Sequence, residues 1–179
     1  MVMNNHLIPY SLELAYWFCK KATSVGKQLG EQQIQHLLFL AQVHYILKSG
    51  HFLYPSLFVC GRSGFYNPTI RTLMEFGLPL MPETNFDAKI ETFLELIWQK
   101  YALLSDTELT NFILTLDCWK KNYRSNEEFI VNPMHLIDSF ADALHLSKEQ
   151  KKTKTKIMLS QHGPVKVSAW QPRKLSSSN

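Results

Sequence analysis

The chain has 179 residues, 45% hydrophobic and 12% aromatic, which is enough apolar material for one real core. No apolar run approaches the ~18 to 20 residues that a membrane span needs, and the opening MVMNNHLIPY lacks a charged start followed by an apolar stretch, so an unexported, cytoplasmic protein is expected. The net charge of +4 hides a division: from Lys148 onward eight Lys or Arg face Glu149 alone, a surplus of seven positive charges that leaves the body at −3.

Pro9 and Ser11 open a first helix, Tyr10 to about Val25, in which Leu12, Ala15, Tyr16, Cys19 and Ala22 recur at helical spacing. Gly26 and Gly30 bracket a turn into the stretch Glu31 to Gly50, EQQIQHLLFLAQVHYILKSG. Here Ile34, Leu37, Leu38, Ala41 and Tyr45 form one stripe, and Phe39, Leu40, Val43, Ile46 and Leu47 fill much of the rest. A helix that is apolar nearly all round has to be enclosed by other elements, so this is the expected central helix. Two narrow polar lines interrupt it, Gln35 with Gln42 and Gln33 with His44 and Lys48, and neighbours can pack on the flanks between them.

Leu57 to Cys60, between Pro55 and Gly61, is too short for a helix, has strand composition, and is the one plausible β element. Asn67-Pro68 starts a helix that carries Ile70, Leu73 and Met74 and stops at Gly77. After a connector with Pro79, Pro82 and Asn85, the residues Phe86, Ile90, Phe93, Leu94, Ile97, Trp98, Tyr101 and Leu104 give a long amphipathic helix. Ser105-Asp106-Thr107-Glu108 has the capping-box pattern and opens a helix carrying Leu109, Phe112, Ile113 and Leu116 that ends near Trp119. Asn132-Pro133 repeats the Asn-Pro start, and Leu136, Ile137, Phe140, Ala141 and Leu144 form the last amphipathic helix. The expected fold is mainly α, a compact bundle of about six helices around the central one, with one short strand or hairpin element. It occupies residues 1–146; residues 147–179, with KKTKTK, a lone Trp170 and a serine-rich end, form a basic tail expected to be flexible or to order on a partner.

Few residues stand in a pattern that chemistry requires. None of the seven His forms H-E-x-x-H or an i, i+4 pair, and no C-x-x-C is present, so no metal or cofactor is expected. Cys19, Cys60 and Cys118 are odd in number, scattered and set in apolar sequence, as reduced core thiols are. His44 is the best lone candidate for a ligand or base, although a hydrogen-bonded core histidine is the more ordinary reading. Glu91 with Glu95 reads as a solvated helix face rather than a catalytic dyad. One loop stands out, Gly61-Arg62-Ser63-Gly64-Phe65-Tyr66, leading into the helix at Asn67-Pro68. It lacks any phosphate-loop motif, and a tight turn is its plain reading; exposed Phe65 and Tyr66 beside Arg62 would suit a protein-binding hot spot.

The run Ile34 to Gln42, then His44-Tyr45, Gly50 and the Gly61 to Pro68 loop before a helix, resembles the Panacea domain of phage-associated SocA/GepA-like proteins. Those proteins show a K-L-L-Y-x-A-Q helix, an aromatic-histidine pair, a short strand and a G-P-V loop. The order continues through Phe86 to Leu104, Ser105 to Leu109, Trp119 and Ile130 to Phe140, so the resemblance spans roughly Tyr10 to Leu144. The chain looks like a divergent member: Val59-Cys60 replaces the strand's A-W ending, Gly64-Phe65-Tyr66 stands at the loop, and Leu116-Asp117 stands where the family has a histidine. The resemblance implies an antitoxin that neutralises its toxin by protein contact, or an adaptor that delivers it to a protease, and not an enzyme. The expected contact is Arg62, Phe65, Tyr66, Asn67 and Arg71, with a toxin encoded nearby as the candidate partner. The alternative is nucleic-acid binding through the tail, using Lys151, Lys152, Lys154 and Lys156.

Overall fold

Helix α1 (Ser11–Ser24) packs on helix α2 (Glu31–Ser49), which is buried along nearly its whole length. The structure, a computed structural model, describes residues 7–77, 85–125, 127–137 and 139–140, and the strands at 156–160 and 163–167. Around α2 stand α1, α3 (Pro68–Glu75), α4 (Ala88–Tyr101), α5 (Asp106–Thr115) and a 3-10 turn at Pro133–Leu136. The fold is mainly helical with a small antiparallel sheet, and α2 is enclosed because its apolar residues leave no side for water.

Each neighbour has a local reason to sit where it does. Leu14, Ala15, Phe18 and Ala22 form the buried stripe of α1, and Lys21 pairs with Glu95 on α4. Asp87 caps α4 by accepting from Lys89 N at 2.7 Å, and Ile90, Phe93, Leu94, Ile97, Trp98 and Tyr101 face inward. The helix is shorter than its periodicity suggests, because Phe86 and Leu104 extend the apolar pattern from flanking turns that also pack on the core. At the start of α5, Ser105 and Glu108 exchange the reciprocal bonds of a capping box, 3.3 Å and 2.8 Å.

Helix α5 does not continue to Trp119. Leu116 is extended, with φ −67° and ψ 134°, and a separate short helix α6 (Asp117–Asn122) follows. The break re-aims the chain so that Trp119 Nε1 donates to the Gly61 carbonyl at 3.0 Å.

Three short strands make the sheet: β1 (Phe58–Gly61), β2 (Gly64–Tyr66) and β3 (Phe129–Val131), in the order β2-β1-β3. Strand β3 is not foreseen by the sequence, since three residues carry no readable alternation. Register pairs Cys60 with Phe65 and Val59 with both Tyr66 and Ile130. Strand alternation therefore turns Phe58, Cys60 and Phe65 toward the core and Val59, Tyr66 and Ile130 to the outer face. On the core side, Phe39 of α2 stacks on Phe65 at 4.3 Å and meets Phe58 edge-on at 5.4 Å.

The chain divides into two compact units, Met1–Leu144 and His145–Asn179. Within the second, β4 (Lys156–Ser160) pairs antiparallel with β5 (Gly163–Val167), Met158 opposite Val165. Sequence reading places no strand there, although Ile157 to Leu159 and Val165 to Val167 have strand composition. The connector with Pro79 and Pro82, the end of the last expected helix at Ala141 to Leu144, and Lys151, Lys152, Lys154 and Trp170 lie outside the described residues. No helix among the described residues is long and apolar enough to cross a membrane.

Candidate partner-binding groove

The glutamines on the polar lines of α2 are buried and bonded to the backbone of the loops around it. Gln35 donates to Asn67 O at 3.3 Å and accepts from Asn67 N at 2.8 Å. Gln42 accepts from Leu53 N and Tyr54 N at 3.1 and 3.3 Å and donates to Tyr54 O at 2.8 Å. Gln33 accepts from Gly30 N and donates to Leu104 O, at 3.2 and 2.9 Å. A primary amide carries both an acceptor oxygen and a donor NH2, so one side chain satisfies backbone N–H and C=O groups that would otherwise be buried unpaired.

These bonds seat the β1–β2 hairpin. Gln32 Nε2 donates to Ser63 O at 3.2 Å from the first turn of α2. Gly64, at φ +118°, lies against α2 and α5: a Cβ there would come within 2.8 Å of His36 Cε1 and 2.9 Å of Ile113 Cγ2. Gly61 has another use. A Cβ on it would meet the Tyr66 ring at 3.3 Å and Glu128 Oε1 at 3.5 Å, so the absence of a side chain lets the Tyr66 ring lie across β1 and reach Glu128.

A groove of about 500 Å³ opens over this hairpin. The Tyr66 hydroxyl donates to Glu128 Oε2 at 2.7 Å, and the Arg71 guanidinium lies 4.8 Å from the Tyr66 ring centroid. Burial, then the bond and charge of Glu128, push the Tyr66 phenol above its ordinary range. Arg71 also meets Glu75 at 3.6 Å, an exposed pair that holds it weakly. Arg62, in the hairpin turn, is exposed and has no hydrogen bond or ion pair among the described residues. Glu31 and Asp106, the first residues of α2 and α5, also line the groove. The groove thus carries two Arg, an aromatic ring and the carboxylates of Glu31, Asp106 and Glu128.

Of the five residues expected at the contact, the structure brings Arg62, Tyr66 and Arg71 to one groove and withdraws two. Phe65 is fully buried, because strand alternation sends it to the core against Phe39 where the loop reading had it exposed. Asn67 is buried as the cap of α3, accepting from Ile70 N at 3.1 Å and donating to Ser56 Oγ at 2.8 Å. Sequence reasoning missed Glu31, Gln32, Asp106 and Glu128. Asp106 stood inside a recognised capping box, but nothing in the sequence pointed Glu128 toward a tyrosine 62 positions away.

His44 Nε2 lies 2.7 Å from the Tyr101 hydroxyl, the hydrogen bond of a histidine held within the fold. Burial, helped by Lys100, lowers its pKa to about 4. His36 is fully buried and likewise lowered to about 4 by burial; its Nε2 meets Thr110 Oγ1 and Gln32 Nε2, while Nδ1 has no partner. All three cysteines are free thiols, and burial pushes Cys60 up to about 11 and Cys118 to about 12, away from the range of a reactive thiolate. Among the described residues no cluster of three His, Cys, Asp or Glu is placed to hold a metal ion. No family model matches the chain, and no curated protein or solved structure matches it significantly.

Proposed function

We propose that the chain is a protein-interaction module, antitoxin-like or proteolytic-adaptor-like, that binds a partner toxin through the groove at Arg62, Tyr66 and Arg71. The observation that carries this reading is the stack of Arg71 on a Tyr66 ring pinned over Gly61 and bonded to Glu128, beside an Arg62 that is free among the described residues. Tyr and Arg are the residues that dominate binding hot spots, and a ring already fixed in the free protein loses little freedom on association. The Panacea-like order of residues from Tyr10 to Leu144 supports the same class of function.

The test is calorimetric titration with the protein encoded by the neighbouring reading frame. Arg62→Ala and Arg71→Ala, each at an exposed position, should weaken binding by ~2 kcal/mol or more, about 30-fold, without lowering the melting temperature. Wild-type affinity in both variants would overturn the groove as the contact.

A second reading rests on the seven surplus positive charges from Lys148 onward: non-specific nucleic-acid binding through the tail, with Lys151, Lys152, Lys154 and Lys156 on phosphates. Such binding should weaken steeply with salt and vanish when residues 148–179 are removed. Salt-insensitive binding by the truncated body would exclude the tail as its source.

A further inference from the structure

Strand β3 is an outer strand of the β2-β1-β3 sheet, and Ile130 and Phe129 on it are 72% and 40% exposed. The direction of its backbone groups follows from the hairpin. Gly61 and Gly64 close a two-residue turn, so they exchange hydrogen bonds, and in an antiparallel ladder every second pair does the same. Val59 therefore turns its N–H and C=O toward β2, while Phe58 and Cys60 turn theirs toward Val131 and Phe129. Ile130, between those two, directs its N–H and C=O away from β1, where they have no partner among the described residues. Natural sheets blunt such an edge with a charge or a proline, and Phe129–Val131 contains neither.

We propose that β3 pairs with the β3 strand of a second copy of this chain, antiparallel, about a two-fold axis at Ile130. The edge is self-complementary: Ile130 exchanges both backbone bonds with Ile130 of the partner subunit, and Glu128 and Asn132 each face the other's counterpart. Charge selects this orientation. Glu127 and Glu128 precede the strand and Asn132-Pro133 follows it, so antiparallel pairing sets acids against neutral residues, whereas parallel pairing would stack acid on acid. The result is a continuous six-stranded sheet with the Tyr66–Val59–Ile130 row repeated across one face. The two Tyr66 positions then lie about 24 Å apart, five strand spacings, at opposite ends of that face. Both grooves are presented together, which makes the dimer bivalent toward a partner. The self-association itself does not depend on what the grooves bind.

A junction of one short strand pair buries less than the ~1,200 Å² of standard interfaces, so association is weak and is measured on the full chain up to ~0.5 mM by sedimentation equilibrium. The wild type should show a monomer–dimer equilibrium, Ile130→Val should keep it, and Ile130→Lys should weaken it at least tenfold with an unchanged melt. Ile130→Cys should cross-link to itself with a short bis-maleimide, while Leu103→Cys, 75% exposed elsewhere on the body, should not. A wild type monomeric throughout, a dimer indifferent to Ile130→Lys, or equal cross-linking at Leu103→Cys would overturn the proposal.

Discussion

The polar groups on α2 and those on the hairpin above it differ in what they have left to give. Gln33, Gln35 and Gln42 are buried and have spent their amides on loop backbone at 2.8 to 3.3 Å. Arg62 and Arg71, in the hairpin turn and on the helix that follows it, stand at the surface with donor capacity unused or weakly held, beside a Tyr66 ring whose hydroxyl is bonded to Glu128. The contrast separates scaffold from site: an amide whose oxygen and nitrogen are both bonded to buried backbone holds the fold, and a guanidinium left open in a groove is available to a partner.

The largest effect that sharpens this contrast is one of pH. His36 and His44 have folded pKa values of about 4, against 6.5 ordinarily, because burial disfavours the charged ring. The unfolded chain therefore binds more protons between those values, so the stability that the neutral rings contribute is present above pH 6.5 and is lost as the pH falls through about 4. The expected loss is about 3 kcal/mol for each ring. Urea melts at pH 7 and pH 4.5 check it, with His36→Gln and His44→Gln each flattening the slope. A pH-independent midpoint would mean that the inner polar groups are wetter than the structure has them.

Next comes the amide clamp. Gln42→Leu keeps the volume but orphans Leu53 N, Tyr54 N and Tyr54 O, and should cost ~3 kcal/mol or more, in the range of Leu38→Ala. A loss below ~1 kcal/mol would show the loop finding water instead. Smaller again is Gly64→Ala, where the positive φ and the contacts at 2.8 and 2.9 Å should together cost ~2 kcal/mol, part of it recovered by pairing the change with His36→Ala. Full recovery would place the whole cost in the contact and none in the backbone.

The central helix was legible because its apolar residues occupy every side, and a pattern of that kind has few solutions. The capping box at Ser105 and the Asn-Pro starts at Asn67 and Asn132 were legible because capping is local chemistry, and all three side chains cap as the sequence implies. What could not be read is long-range. The glutamines of α2 look the same on paper whether they face water or a loop, and their spacing reads only as gaps between neighbours. Phe65 and Tyr66 are adjacent aromatics, and only the strand register decides that one packs on Phe39 and the other bonds Glu128. The extended Leu116 has no breaker to announce it; its reason lies in Trp119 reaching Gly61, nearly sixty positions back.

The smallest expected change in stability belongs to Arg62→Ala, within ~0.5 kcal/mol of the wild type, and this makes it the partner for the most direct test. Thermal melts and titrations with the protein of the neighbouring reading frame are run side by side on Arg62→Ala and Gln42→Leu, at a temperature where both are folded. A crossed result is expected: Arg62→Ala melts like the wild type and binds about 30-fold more weakly, while Gln42→Leu melts lower and binds normally. If Arg62→Ala binds as tightly as the wild type, or if folded Gln42→Leu loses affinity to the same degree, the division between inner scaffold and outer site is contradicted.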